Sequence, residues 1–158
     1  MQEFYIKAES VINQYRESGK RIATAESCTA GLLSAALTSI AGASDVFERG
    51  FVTYSNESKM ELLSVSSKLI SDYGAVSKEV SVAMAKGALE KSNCDVAISI
   101  TGIAGPAKTG DIKKVGLVFI TLIDHNKKIV TQEHNFSGNR DDIRIKTVFS
   151  AMELLLSV

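Results

Sequence analysis

The sequence predicts an α/β layered domain built on a mixed sheet. Three observations lead there. Short β-branched runs alternate with segments of helical spacing along most of the chain. The stretch Asp95 to Ile100 is an apolar, β-branched run of the kind that forms a strand buried on both faces. Near the end, Val115 to Ile123 and Lys128 to Phe136 flank Asp124-His125-Asn126-Lys127, a hairpin signature.

Taken in order, Phe4, Ala8, Val11, Ile12 and Tyr15 recur at helical spacing, and Ser18-Gly19 ends that helix. Arg21–Ala25 reads as a strand, followed by a helix from about Thr29 to Ile40 that closes at Ala41-Gly42-Ala43-Ser44. Val46 to Tyr54 is a second strand, and Ser55-Asn56-Glu57 starts a helix. Leu62 to Tyr73 is helical in pieces and stops at Gly74. Ser77 caps a helix through Lys91, with Glu79 in the first turn where a carboxylate suits the dipole. The last helix places Ile145, Val148, Phe149, Met152, Leu155 and Leu156 on one face. No repeat, linker or low-complexity tract interrupts this pattern, so residues 1–158 are expected to form one domain.

Composition excludes several classes of function. Lys plus Arg number 18, as do Asp plus Glu, so no basic footprint for nucleic acid or for an acidic membrane is expected. Cys28 and Cys94 lack metal-ligand spacing, which argues against both a metal site and a disulfide framework. The N-terminus has no basic region followed by an apolar core, so no signal peptide is expected. Ser27 to Ser44 carries no charge, yet its Ser, Thr, Gly and Ala make it too weakly apolar to favour lipid. A soluble cytoplasmic protein is the expectation.

Two segments leave strands at what should be the ligand-binding edge of such a sheet. In Arg21–Ser34 a strand passes through Ser27 into an Ala/Leu-rich helix. Ser27 is either a helix N-cap or a hydroxyl placed for chemistry, at the positive end of a helix dipole among unpaired N–H groups. The second segment is Thr101-Gly102-Ile103-Ala104-Gly105-Pro106, whose glycines serve either a tight loop or a close approach to ligand.

Four ordered motifs resemble the signatures of the CinA C-terminal domain family. They are Ala25-Glu26-Ser27-Cys28-Thr29-Ala30-Gly31, Phe47 to Asn56, Gly74-Ala75-Val76-Ser77, and Ser99 to Pro106. The likeness runs from the first helix to Gly138-Asn139-Arg140 and the last helix. It implies a three-layer α/β/α fold with a mixed, mainly parallel sheet of about five strands. Stand-alone members of the family include the PncC-type nicotinamide mononucleotide deamidases. The resemblance therefore implies a metal-free, cofactor-free amidohydrolase that converts the carboxamide to a carboxylate and releases ammonia, in recycling toward NAD. By similarity Ser27 is the nucleophile, Lys59 its general base, and Tyr54 lines the catalytic site, where it would orient the lysine or stack against the pyridine ring. Thr101 and Gly102 would hydrogen-bond the substrate. A homo-oligomer is also implied, with Phe4, Tyr5 and the Phe47–Phe51 segment as candidate contacts. Ala30 stands where many members carry glycine.

Physical chemistry adds conditions to these roles. A serine hydroxyl is a weak nucleophile until a base takes its proton, and a lysine serves as that base only if its pKa is lowered from ~10.4. The N–H groups of Cys28 and Thr29, as the expected start of the helix, are candidates to hold a tetrahedral oxyanion. Arg140 is argued independently of any likeness. Gly138-Asn139 starts the final helix, where a cation opposes the dipole, and a substrate phosphate would resolve the conflict. The alternative is a salt bridge with Asp141, Asp142 or an adjacent subunit.

Cys28 competes with Ser27 as nucleophile, since a helix start lowers a thiol pKa. Such an enzyme needs a histidine, and His125 and His134 both lie in the hairpin region. Glu26 is read either as a partner for a cation or for substrate hydrogen bonds, or as a buried structural group. A regulatory ligand-binding module, and an amidase for a different pyridine or nucleotide amide, remain open beside the deamidase.

Overall fold

Side chains in a strand alternate between faces, and in β1 (Ile22–Glu26) every one is buried, so this strand must lie inside a covered sheet. The computed structural model, which describes residues 2–158, shows how. Strands β2 (Phe47–Val52), β3 (Val96–Gly102), β4 (Leu117–Asp124) and β5 (Ile129–Asn135) join β1 in the order β2-β1-β3-β4-β5. β1 pairs in parallel with β2 and β3, while β4 runs antiparallel to both β3 and β5. Only β4 opposes the common direction. The sheet is thus mixed and mainly parallel, as the sequence predicts.

Two layers of helix cover it. On one face α1 (Gln2–Glu17), α2 (Leu32–Thr38) and α6 (Arg140–Leu156) enclose Ile22, Ile98, Ile100, Val118 and Ile120. Each such fully buried aliphatic side chain contributes about 1.5–3 kcal/mol. The Tyr15 hydroxyl crosses from α1 to donate to Leu155 O at 3.0 Å. On the other face lie α3 (Asn56–Leu63), α4 (Ser67–Tyr73) and α5 (Lys78–Lys91).

The second layer sits on small side chains. Ala23, Ala25 and Ala97 of the sheet meet Ala85 and Ala88 of α5. Gly87 of the same helix passes so close to α3 that a Cβ there would lie 2.0 Å from Leu63 O. Hydroxyls fill the remaining polar contacts. Ser81 Oγ is 2.7 Å from Thr121 Oγ1 and 3.2 Å from Ser99 Oγ, and Ser99 Oγ donates to Ser81 O at 2.6 Å. Thr121 in turn meets Thr131 at 3.0 Å, so a ladder of hydroxyls crosses β3, β4 and β5 beneath α5. The hydroxyls of this ladder are tolerated in the interior because each has a partner, whereas Thr29 Oγ1 and Thr53 Oγ1 elsewhere have none among the described residues.

Local capping chemistry sets most helix starts. Ser55, Ser66 and Ser77 each accept an N–H from the first turn, and Asn139 forms a reciprocal capping box with Asp142. Two expectations need correction. The helix predicted from Thr29 begins only at Leu32, because residues 28–31 form a turn with Ala30 (φ 49°) and Gly31 (φ 92°) in the left-handed region. The apolar face of α6 is rotated from the one predicted: Ile143 is buried, Ile145 is half exposed, and Phe149 and Leu156 are only partly covered. Residues 147, 151 and 154 complete the stripe, and two of them, Thr147 and Ala151, carry little hydrophobic signal.

β1 lies between the strand that follows it, β2, and the later β3, so the connections leave it in opposite directions. The carboxyl ends of these three parallel strands share one edge, which is where a crevice forms in open α/β sheets.

Candidate active site

Ser27 follows β1 directly, and its N–H donates to Ile100 O at 3.0 Å, which extends the β1–β3 ladder by one bond. The residue is 8 % exposed. It is not an N-cap. The buried side chain of Glu26 turns under the 28–31 loop instead and takes the start of α2. Its Oε2 accepts the N–H groups of Gly31 (3.2 Å) and Leu33 (3.0 Å), and its Oε1 accepts the N–H (2.8 Å) and hydroxyl (2.7 Å) of Ser34. A carboxylate is the group a helix start favours, and a buried one requires such bonds. The positive end of α2 is therefore answered by Glu26, and does not bear on the Ser27 hydroxyl as the sequence suggests. Glu26 takes the structural role of its two readings.

Lys59 reaches the serine from the opposite helical layer. α3 starts at the Ser55 cap, and the fourth residue after it points inward. Lys59 is 1 % exposed, with Nζ 3.0 Å from Ser27 Oγ, 2.8 Å from Thr53 O and 3.3 Å from Tyr54 O. Among the described residues no carboxylate lies within 4.0 Å of it. Burial holds the amine below the ordinary lysine pKa, only partly offset by the nearby Cys28 sulfur. Nζ donates to Ser27 Oγ and to the carbonyls of Thr53 and Tyr54.

A cleft of about 330 Å³ opens over this pair. Tyr54 stands on its wall, 60 % exposed, and makes contact with Lys59 through its carbonyl only. The Tyr54 hydroxyl accepts from Arg140 at 3.1 Å, and Arg140 also donates to Gly105 O. Arg140 is the first residue of α6, as predicted, and has no carboxylate within 4.0 Å among the described residues. Asp142 is spent on the capping box, and Asp141 lies 3.9 Å from Arg144. A salt bridge from Arg140 to Asp141 or Asp142 is thereby excluded within the chain.

Thr101 and Gly102 line the cleft but belong to the end of β3, not to the following loop as expected. Thr101 Oγ1 donates to Ala75 O at 2.8 Å. A Cβ at Gly102 would meet Val118 Cγ2 at 2.6 Å, so glycine lets β4 pair closely here. Cys28 borders the cleft, and burial pushes its thiol up to about 11, the wrong direction for a nucleophile at neutral pH. Thr29 is wholly buried and stands apart from the cleft lining. Neither its N–H nor that of Cys28 meets a protein oxygen among the described residues. His125 is exposed in the hairpin turn, and His134 stacks on Phe136 with ring centroids 4.9 Å apart. Neither lines the cleft.

Asn56, Lys108 and Asp111 also line it and escaped the sequence reading. Asn56 sits next to Ser55, where cap chemistry explains a polar residue fully. Lys108 and Asp111 fold against each other in the β3–β4 loop, the Lys108 N–H donating to Asp111 Oδ2 at 2.6 Å, and no spacing rule marks them. Among the described residues no group of His, Cys, Asp and Glu is arranged to hold a metal. Likewise no helix among them is long and apolar enough to cross a membrane.

Fold and site together define an α/β protein in which a buried lysine amine meets a serine hydroxyl at the carboxyl ends of parallel strands. The family model of the CinA C-terminal domain matches residues 5–158, and the chain belongs to that family. Among solved structures, competence/damage inducible protein CihA from Agrobacterium tumefaciens is 39 % identical with a TM-score of 0.94, over 98 % of this chain and 94 % of that one. The competence damage-inducible protein A from Klebsiella pneumoniae is 30 % identical, also at 0.94, over 98 % and 95 %. A CinA-like protein of Syntrophobacter fumaroxidans is 48 % identical over 95 % of this chain but only 35 % of its own length. The chain thus spans about a third of the curated relatives it matches.

Proposed function

We propose that this chain is a nicotinamide-nucleotide amidohydrolase, hydrolysing nicotinamide mononucleotide to nicotinate mononucleotide and ammonia. The observation that carries the reading is the 3.0 Å approach of the buried, carboxylate-free Lys59 Nζ to Ser27 Oγ. Burial supplies what a lysine base requires, a form that is uncharged when the hydroxyl must lose its proton. In this reading Lys59 takes the Ser27 proton as Oγ attacks the carboxamide carbon. The resulting ammonium returns the proton to the departing nitrogen, and ammonia leaves an acyl-serine ester. Water activated by the same amine then cleaves the ester to the carboxylate.

Cys28 N–H, at the border of the cleft, holds the tetrahedral oxyanion in this scheme, and Thr29, buried apart from the lining, is left out of it. Thr101 Oγ1, its proton committed to Ala75 O, keeps lone pairs for the carboxamide N–H₂. Gly102, whose backbone lines the cleft beside it, offers a further hydrogen bond to the substrate. Arg140, a cation at a helix start without a carboxylate, takes the phosphate, and Tyr54 forms the wall beside it. No metal or cofactor enters the scheme.

The test is ammonia release from nicotinamide mononucleotide by the purified protein. Ser27→Ala is expected to lower it by at least ~10³-fold, with Cys28→Ala retaining most of it. Loss in the cysteine variant alone overturns the serine mechanism. Binding of the nucleotide with no ammonia from the wild type supports the regulatory module instead.

A further inference from the structure

The hydrolysis as proposed uses one atom of the Gly74-Ala75-Val76-Ser77 motif, the Ala75 carbonyl. Side chains engage every other carbonyl of residues 73–76 as well. Gly74, at φ 78° and ψ 158°, ends α4 in a conformation that favours glycine and turns the chain toward α5. Lys113, from the loop between β3 and β4, donates from Nζ to Tyr73 O at 2.7 Å and to Val76 O. Ser77 Oγ donates to Gly74 O and Thr101 Oγ1 to Ala75 O, both at 2.8 Å. The lysine thus spans the turn, holding the carbonyls on either side of the pair that Ser77 and Thr101 take. A Cβ at Gly74 would lie 3.2 Å from its Nζ. Among the described residues no carboxylate lies within 4.0 Å of Lys113, so the turn is what it binds.

Strand register sets the Thr101 hydroxyl beside the nucleophile. Ala25 faces Ser99 and Glu26 faces Ile100 across the β1–β3 pair, and the bond from Ser27 N–H to Ile100 O carries that register one step further. Ser27 therefore stands next to Thr101, on strands about 4.8 Å apart. Ala25 and Ala97 face the layer of α3 and α5, and Ser99 reaches Ser81 of α5. By alternation Ser27 and Thr101 face that layer too, the one that carries Lys59. Thr101 Oγ1 gives its one proton to Ala75 O, and no group among the described residues donates to it. Lone pairs are what it offers the cleft. An amide N–H₂ is a donor and is accepted there. A carboxylate accepts on both oxygens, so it would meet lone pairs with lone pairs. Turning the hydroxyl to greet it would leave Ala75 O without its partner, at the cost of that hydrogen bond.

We propose that Lys113 is a positioning residue, holding the 73–76 turn so that Thr101 stays an acceptor, and that this fixed polarity makes the site prefer the carboxamide to the carboxylate it produces. The inference rests on the amidohydrolase reading. Lys113 stands outside the cleft lining, and the proposal gives it no contact with substrate. Its effect passes through Ala75, which lines the cleft between the two carbonyls that Lys113 holds. Without those bonds the Ala75 peptide is free to rotate, and the Thr101 proton is free to turn into the cleft. The amide then loses an acceptor and the acid gains a donor. With the bonds in place, the product carboxylate forms against lone pairs and leaves readily.

The experiment follows ammonia release from nicotinamide mononucleotide, inhibited by added nicotinate mononucleotide, in wild type, Lys113→Met and Lys113→Arg at one pH. The readout is the ratio of the acid's inhibition constant to the KM of the amide, with Tm recorded for each protein. Lys113→Met is expected to lower this ratio about tenfold, chiefly through tighter inhibition by the acid. Lys113→Arg, which keeps donors for both carbonyls, should recover most of it. A general loosening of the cleft raises both constants together and leaves the ratio alone. An unchanged ratio in folded Lys113→Met therefore overturns the proposal while wild-type turnover stands. Lys113→Gln, whose shorter arm reaches one carbonyl at best, replaces Lys113→Met if that variant does not fold, and should move the ratio in the same direction. A wild type that releases no ammonia instead removes the amidohydrolase reading, and this selection with it.

Discussion

A lysine buried without a carboxylate partner raises the question of what keeps it there. Three oxygens, Ser27 Oγ, Thr53 O and Tyr54 O, surround Lys59 Nζ, and each suits a neutral amine as well as an ammonium. The charged form loses hydration on burial, which is why the pKa falls below the ordinary ~10.4. Since the neutral form is the base, kcat/KM should rise with pH and level off above the folded-state pKa, with its acid limb displaced below the ordinary lysine range. Stability follows the same sign. Between the folded pKa and ~10.4 the unfolded chain holds a proton that the folded chain does not, so unfolding free energy rises with pH across that window. Lys59→Met should lose turnover and also this pH-dependent component, seen as a flatter stability curve in urea titrations over the same range. A parallel curve for the two proteins would show that the amine is not neutral when folded.

Between elements, contacts of backbone on backbone set tighter limits than side-chain packing does. Gly87 brings α5 against the carbonyl end of α3, with Leu63 O 2.0 Å from where a Cβ would stand. Gly87→Ala should therefore cost at least about 2 kcal/mol and lower Tm, despite alanine's better helix propensity. Because α3 carries Lys59, turnover should fall with it. Thermal melts alongside the ammonia assay check both effects. Much of this scale was legible in the sequence where the chemistry is local: the caps at Ser55, Ser77 and Asn139 act within three residues, and the hairpin turn is contiguous. Glu26 was not legible as the cap of α2, because it acts over five to eight residues across a turn. The same turn moved the helix start to Leu32 and took Thr29 out of the cleft lining. At the site itself, Ser27, Lys59 and Tyr54 were named from the family resemblance and Arg140 from helix-end electrostatics. Their meeting was not deducible from spacing, since they come from four separate elements or junctions.

Across the whole molecule the site draws on both helical layers and on the middle of the sheet. Ser27 hangs from β1 and β3, each paired on two sides, whereas β2 and β5 are edges. Amide exchange should accordingly be slowest in Ile22–Glu26 and Val96–Gly102 and faster in the edge strands, which mass spectrometry of exchanged peptides would resolve. Equal protection throughout would contradict a site suspended from the least mobile strands. The hydroxyls of Ser81, Ser99, Thr121 and Thr131 bear on the same question. An oily interface of alanines would let a helix creep along the sheet at small cost, but here a one-residue slip strands several polar groups with no water to receive them. Helix α5 is thus keyed to a single seat, like a lock bolt in its strike. The chain just before it, at Ala75, carries the carbonyl that takes the Thr101 proton, so that wall of the cleft inherits its place from the bolt.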